Sequence, residues 1–210
     1  MKKTLFAILL SASSAMTANS FAADFDFSGS FTADDDVLQF NISLASDSNV
    51  TLFSSSWDDG GLDPILAVWD AAGNKLFEQD DGLASGSQLS NGVSYDYGVW
   101  DSFFDVNLSI GDYIITVAQY DNFSISSLLS DGFSKTGNPN FTAAFGCSNG
   151  QFCGVDTSDD NRTSDWAFHI LNVADADLDN GTVPEPSILA LLGIAALGMA
   201  SQCRRKRNAD

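Results

Sequence analysis

Apolar and polar side chains alternate with a period of two in several segments of this 210-residue chain. Within residues 37–44, Leu38, Phe40, Ile42 and Leu44 fall on one side, and polar residues fall on the other. Side chains of a β-strand point alternately to its two faces, so this pattern indicates strands with one buried face. No long segment has the 3.6-residue period of a helix.

Five further segments have the composition of strands: 50–53, 65–69, 103–110, 113–120 and 165–173. In the last of these, Trp166, Phe168 and Ile170 share one face. Glycine next to Asp or Asn separates many of the segments, and such pairs favour tight turns. Many short strands at this spacing predict an all-β domain, either a β-sandwich or a jelly roll.

Residues 1–22 predict a secretory signal peptide. Lys2 and Lys3 precede a short apolar run, and small residues at positions 20 and 22 mark a cleavage position after Ala22. The apolar run is too short to cross a bilayer.

Residues 184–210 combine three features in a fixed order. Pro184-Glu185-Pro186 is followed by an apolar stretch from Ile188 to Ala200 and then by a basic cluster at 204–207. The longer segment from Ser187 to Cys203 barely reaches spanning length, so we expect one short C-terminal transmembrane helix with the basic residues on the cytoplasmic side. A plain membrane anchor is the alternative interpretation. The central domain, 23–183, then lies outside the inner membrane.

These C-terminal features resemble the PEP-CTERM sorting signal of Gram-negative bacteria that produce exopolysaccharide. The residues that carry the resemblance are Pro184, Glu185, Pro186, Arg204, Arg205 and Arg207. The resemblance implies that an exosortase, a membrane-embedded transpeptidase, recognises the signal and removes the helix. The protein would contact the inner membrane only transiently, and would then reach the cell surface or the medium.

The exported domain has a large excess of negative charge. The chain has 28 acidic and 9 basic residues, of which 26 acidic and 3 basic lie within residues 23–183, a net charge of −23. Such a surface repels nucleic acid, which we therefore exclude as a partner. Dispersal of the charges or bound cations would relieve their mutual repulsion.

Residues 34 to about 162 resemble the DVUA-type group of PEP-CTERM-bearing exported proteins. Landmarks are Asp34-Asp35-Asp36-Val37, the stretch from Gly61 to Leu66, Asp80-Asp81-Gly82 and Gly111-Asp112-Tyr113. The first landmarks are also similar, more loosely, to bacterial pre-peptidase C-terminal domains, which are β-sandwich accessory modules. Some of those modules bind calcium, and some bind polymers.

The second resemblance implies that several acidic turns lie near one end of the sandwich. The candidate calcium ligands are Asp34, Asp35, Asp36, Asp63, Asp80 and Asp81. Ca²⁺ takes oxygen ligands from carboxylates and loop carbonyls, which Asp-rich turns supply at short spacing. Asp101 and Asp105 are weaker candidates, and simple solvation of each turn is the alternative.

Cys147 and Cys153 bracket a short loop with glycines on either side. In an oxidising compartment this spacing predicts a disulfide. A metal site built on the same two cysteines lacks companion ligands.

The sequence predicts a protein without enzyme activity. The exported domain has one glutamate, Glu78, and one histidine, His169, which faces away from the apolar side of its strand and is expected to be structural or exposed. Nucleophile-elbow, phosphate-loop and zinc-helix motifs are absent from the sequence.

We therefore expect a binding or structural component of the extracellular matrix, stabilised by cations, with exopolysaccharide as its partner. A secreted hydrolase acting on surface polysaccharide or peptide is the alternative. Six aromatic residues are candidates for a sugar-stacking platform, and 94–104 is the favoured loop. They are Trp57, Trp69, Trp100, Tyr95, Tyr97 and Tyr120.

Overall fold

The computed structural model describes residues 22–155 and 161–179. Almost all of the signal peptide and the whole sorting signal, 184–210, lie outside these residues, as does the expected terminal helix. In the part described, no helix is long and apolar enough to cross a membrane.

The described residues form eleven β-strands and two short 3₁₀ helices. The strands are β1 Ala23–Ser30, β2 Val37–Leu44, β3 Ser48–Ser54, β4 Pro64–Asp70, β5 Lys75–Gln79, β6 Gly86–Ser90, β7 Val93–Tyr97, β8 Phe103–Leu108, β9 Gly111–Gln119, β10 Asp165–Val173 and β11 Asp175–Leu178. The 3₁₀ helices are Leu129–Asp131 and Phe141–Phe145.

Two sheets and a separate hairpin make up the architecture. One sheet has the order β1-β10-β3-β8 and the other the order β11-β2-β9-β4-β5, while β6 and β7 pair only with each other. All of these pairs are antiparallel. The predicted all-β sandwich is confirmed.

Apolar side chains from both sheets fill the space between them. Phe40, Leu52 and Phe168 are each 0% exposed, and the rings of Phe40 and Phe168 lie 5.0 Å apart. The alternation at 37–44 and 165–173 predicts these inward faces correctly, and both strands have the bounds that the pattern indicates. Burial of these faces supplies the main stabilisation of the fold.

The outer faces of both sheets are also partly covered. On the five-stranded sheet, Phe133 packs against Trp69, whose indole N–H donates to Thr116 Oγ1 at 3.0 Å. On the four-stranded sheet, the β6–β7 hairpin places Tyr95 over His169, with ring centroids 4.0 Å apart. Burial on both faces explains why β4 reads as a nearly continuous apolar run.

Replacing Phe40 with alanine should lower the free energy of unfolding by about 3–5 kcal/mol, because it leaves a cavity between the sheets. Chemical denaturation measures the change. Leu89→Ala is the control, since Leu89 is 62% exposed and its loss should cost less than about 0.5 kcal/mol. Equal losses in the two variants would contradict this placement of the core.

Candidate functional site

Three of the six aspartates predicted to bind calcium meet at one end of the five-stranded sheet. Asp63 directly precedes β4, while Asp80 and Asp81 directly follow β5, and the antiparallel pairing of these strands brings the positions together. One carboxylate oxygen from each residue lies within 4.8 Å of the others. Asp63 is buried, and the other two are partly exposed.

The backbone around this cluster is held by Ser102. Its hydroxyl lies 2.6 Å from the carbonyl oxygen of Pro64 and 3.1 Å from that of Gln79, and it also contacts the carbonyl oxygen of Asp80. The Gln79 side-chain carbonyl accepts the Phe103 N–H at 2.8 Å. These hydrogen bonds tie together the strand ends next to which the three aspartates lie.

The cluster has the chemistry of a hard-cation site. Carboxylate oxygens are the ligands that Ca²⁺ prefers, and three carboxylates supply part of its six to eight oxygens. Ionised carboxylates this close repel one another, and a divalent cation removes that repulsion. Calcium binding stays a prediction, and the structure narrows its candidate ligands from six aspartates to Asp63, Asp80 and Asp81.

Asp34, Asp35 and Asp36 do not join this cluster. Asp34 is 0% exposed and accepts the backbone N–H groups of Thr142 at 2.9 Å and Phe152 at 2.8 Å. The other two also accept backbone N–H groups, Asp35 from Gly137 and Asp36 from positions 32 and 33. These contacts show how the acidic turn anchors surrounding loops.

The predicted disulfide between Cys147 and Cys153 is confirmed. The Cys153 N–H donates to Thr142 Oγ1 at 3.1 Å, and this hydroxyl also contacts the Asp34 carboxylate. The bridge and the buried carboxylate therefore fix the same stretch of loop.

The two weaker candidates for metal binding have other contacts. Asp101 is 0% exposed and accepts from the Ser54 hydroxyl at 2.8 Å and the Gly98 N–H at 2.9 Å. Burial raises the pKa of Asp101, although these hydrogen bonds oppose the change. Asp105 accepts the Asn49 side-chain N–H at 2.6 Å.

The favoured aromatic loop is partly a strand. Residues 93–97 form β7, and Tyr97 packs against Phe53 and Phe103 on the sheet beneath. Trp57 and Trp69 are buried, and Trp100 packs against the edge of Trp57. The sequence could not show that Tyr97 is used for packing, because it does not reveal that the β6–β7 hairpin folds back onto a sheet.

The glutamate considered for catalysis is held in a local network. Glu78 forms a salt bridge with Lys75 at 2.6 Å and accepts from the backbone N–H and the hydroxyl of Ser124. These contacts tie β5 to the loop after β9.

The structure brings together a second polar group that sequence patterns do not reveal. Asp26 Oδ1 lies 2.7 Å from His169 Nδ1, and Ser55 Oγ lies 2.8 Å from His169 Nε2. His169 is 1% exposed and stacks on Phe53, with ring centroids 4.4 Å apart. The histidine is therefore structural in its packing, as expected, but it is not exposed.

The protonation states of this group follow from its surroundings. Burial lowers the pKa of His169 below its ordinary value, and Asp26 only partly offsets this. Burial raises the pKa of Asp26, but hydrogen bonds from Asn91 and His169 outweigh it and keep that pKa low. At neutral pH the pair is thus a carboxylate and a neutral imidazole, with the proton on Nδ1 facing Asp26.

Comparison with known proteins adds one match. The sequence family described as the PEP-CTERM protein-sorting motif matches residues 182–206. No curated protein matches the chain.

The fold and this match together define an exported all-β protein. The chain carries a PEP-CTERM protein-sorting motif, which indicates export to the cell envelope or surface of a Gram-negative bacterium and sorting by an exosortase.

Acidification from pH 7 to 5.5 should destabilise the domain through His169. The unfolded histidine takes up a proton near pH 6.5 while the folded one stays neutral, so the contribution of His169 is complete above that pH and is lost as pH falls. Asp26 and Tyr95 contact this ring, and Asp101 acts on it through its charge. The raised pKa of Asp101 makes its own contribution to stability change in the opposite direction.

Thermal melting across this pH range tests the sign. His169→Gln should flatten the decline of melting temperature with falling pH, and Leu89→Ala should retain it. An identical decline with and without His169 would contradict the assignment.

Proposed function

We propose that this protein is an exported, surface-sorted β-sandwich that acts as a cation-stabilised binding or structural module of the extracellular polysaccharide matrix. The observation that carries the proposal is the meeting of Asp63, Asp80 and Asp81 within 4.8 Å at one end of the sheet. The sorting motif at 182–206 supports the destination.

The charge of the exported domain favours a role for divalent cations. With a net charge of −23 over residues 23–183, the domain repels itself and any anionic polysaccharide. A cation held by Asp63, Asp80 and Asp81 lowers the repulsion at one end of the fold. Cations shared between carboxylates of the protein and of a polysaccharide would let two negatively charged polymers associate.

Calcium at a concentration well above its dissociation constant should raise the melting temperature. A ligand at about 100 times its dissociation constant stabilises the folded state by about 2.7 kcal/mol. The triple change Asp63→Asn, Asp80→Asn and Asp81→Asn should abolish the increase, because amide side chains are weaker cation ligands.

The matched control is the pair Asp175→Asn and Asp177→Asn on β11, both exposed. This pair removes two negative charges away from the cluster, one fewer than the triple change, and should retain the calcium response. A chelator should reverse the response in the wild type. An unchanged melting temperature with calcium would exclude the cation site, although the sandwich itself would stand.

Replacing Pro184, Glu185 and Pro186 with alanine should block C-terminal processing, since these residues begin the sorting signal. The mass of the protein recovered from its native host measures the effect. The wild-type mass should lack the C-terminal segment, and the variant should keep it. The Asp175→Asn and Asp177→Asn variant serves as the processed control, and equal processing of all three proteins would contradict exosortase recognition here.

A further inference from the structure

Hydrogen bonds join Asp26, His169 and Ser55 across one side of the four-stranded sheet. Asp26 on β1 pairs with His169 on β10, and β10 pairs with β3, which ends directly before Ser55. The Ser55 N–H donates to the Ala167 carbonyl at 3.2 Å, which joins the serine to β10. The register of the strands therefore places the His169 imidazole between the Asp26 carboxylate and the Ser55 hydroxyl.

We infer that Ser55, His169 and Asp26 form a site for acyl transfer in which Ser55 is the nucleophile, His169 the general base and Asp26 the positioning residue. The separations are 2.7 Å from Asp26 to His169 and 2.8 Å from His169 to Ser55, both within the reach that proton transfer requires. This activity goes beyond the proposed matrix role, does not rest on it, and departs from the expectation of a non-catalytic domain.

The imidazole is in the form that the chemistry needs. An ionised carboxylate can only accept hydrogen bonds, so Asp26 keeps the proton on Nδ1 of His169. The lone pair on Nε2 of His169 then faces the Ser55 hydroxyl. Burial of the ring keeps it neutral at neutral pH.

The β6–β7 hairpin holds this arrangement from above. Tyr95 covers the imidazole, and Asn91 in the hairpin turn donates to Asp26 Oδ2 at 2.9 Å. Asn91 and Gly92 both have positive φ, as the two-residue turns of hairpins require. The hairpin thus fixes both the ring and the carboxylate.

Ser55 is half-buried and lines a cleft of about 540 Å³. Ser56 lines the same cleft, and its buried hydroxyl has no hydrogen-bond partner among the described residues.

Carboxylates dominate the rest of the cleft wall. Asp58, Asp59, Asp96 and Asp165 line it, and none of its described lining residues is basic. The Arg162 side chain stacks 3.4 Å over the Trp57 ring and donates to the Gly61 carbonyl at 2.9 Å, which fixes the loop that carries two of these aspartates. The substrate class is therefore an ester or amide with a positive charge near the acyl carbon.

The reaction balances with water as the only co-reactant. Ser55 Oγ bonds to the acyl carbon while its proton passes to His169 Nε2. The bond from that carbon to the leaving oxygen or nitrogen breaks, and His169 returns the proton to the leaving atom. Water then adds to the acyl carbon and gives a proton to His169. The carboxylic acid leaves as Ser55 recovers its proton.

The test uses the purified full-length chain, a fluorophosphonate probe and mass spectrometry of the labelled peptides. The probe should modify Ser55, and Ser55→Ala should abolish labelling. Ser87→Ala, which removes an exposed hairpin serine, should leave labelling unchanged. A folded wild type that is not labelled at Ser55 would overturn the inference.

Turnover of p-nitrophenyl esters gives the second readout. The ester of acetyl-lysine should react faster than that of acetyl-glutamate, and His169→Gln should lower the rate by about 100-fold or more. Asp26→Asn should lower kcat with little change in KM and should change the pH–rate profile, which a purely structural loss would not do. Turnover that persists unchanged in Ser55→Ala would contradict the assignment.

A third variant tests the role of His169 without removing His169 or Asp26. Ser55→Cys places a thiol beside His169, and its alkylation by iodoacetamide at pH 7 should be about 10-fold faster than that of Ser87→Cys, because the imidazole favours the thiolate. Equal rates at the two positions, in variants that melt like the wild type, would show that His169 does not act as a base.

Discussion

Burial of apolar side chains between two sheets holds together a domain whose surface charge opposes compaction. Phe40, Leu52 and Phe168 are removed from water at the centre, while the carboxylates are spread over turns and strand ends. Because hydrophobic burial does not depend on charge pairing, three basic residues suffice for a fold with 26 acidic ones. The same burial sets the strand register that positions Asp26 beside His169 and brings the ends of β4 and β5 together.

Two groups of polar residues lie in different parts of this fold. The carboxylates of Asp63, Asp80 and Asp81 meet where β4 begins and β5 ends, a place where backbone turns expose oxygen atoms. The hydrogen-bonded residues Asp26, His169 and Ser55 lie on the outer face of the four-stranded sheet, under a hairpin that keeps water from the imidazole. The proposed cation binding and the inferred acyl transfer can therefore be tested separately by mutation.

Sequence periodicity predicts the sandwich and its inward face because alternation is a local property. It identifies β2 and β10 with correct bounds, yet misses β1, β5, β6, β7 and β11, which are short, polar or adjacent to the signal peptide. The Asp63–Asp80–Asp81 grouping was within the predicted ligand set. Asp26 and Ser55 were not candidates, because their sequence separations from His169, 143 and 114 residues, leave no local motif.

The position of β10 has a consequence for biogenesis. This strand is next to last in the described chain but lies between β1 and β3 in its sheet. Until the chain is complete as far as Val173, β1 and β3 each have an open edge where β10 will pair. The four-stranded sheet can therefore close only once nearly all of the described chain is available.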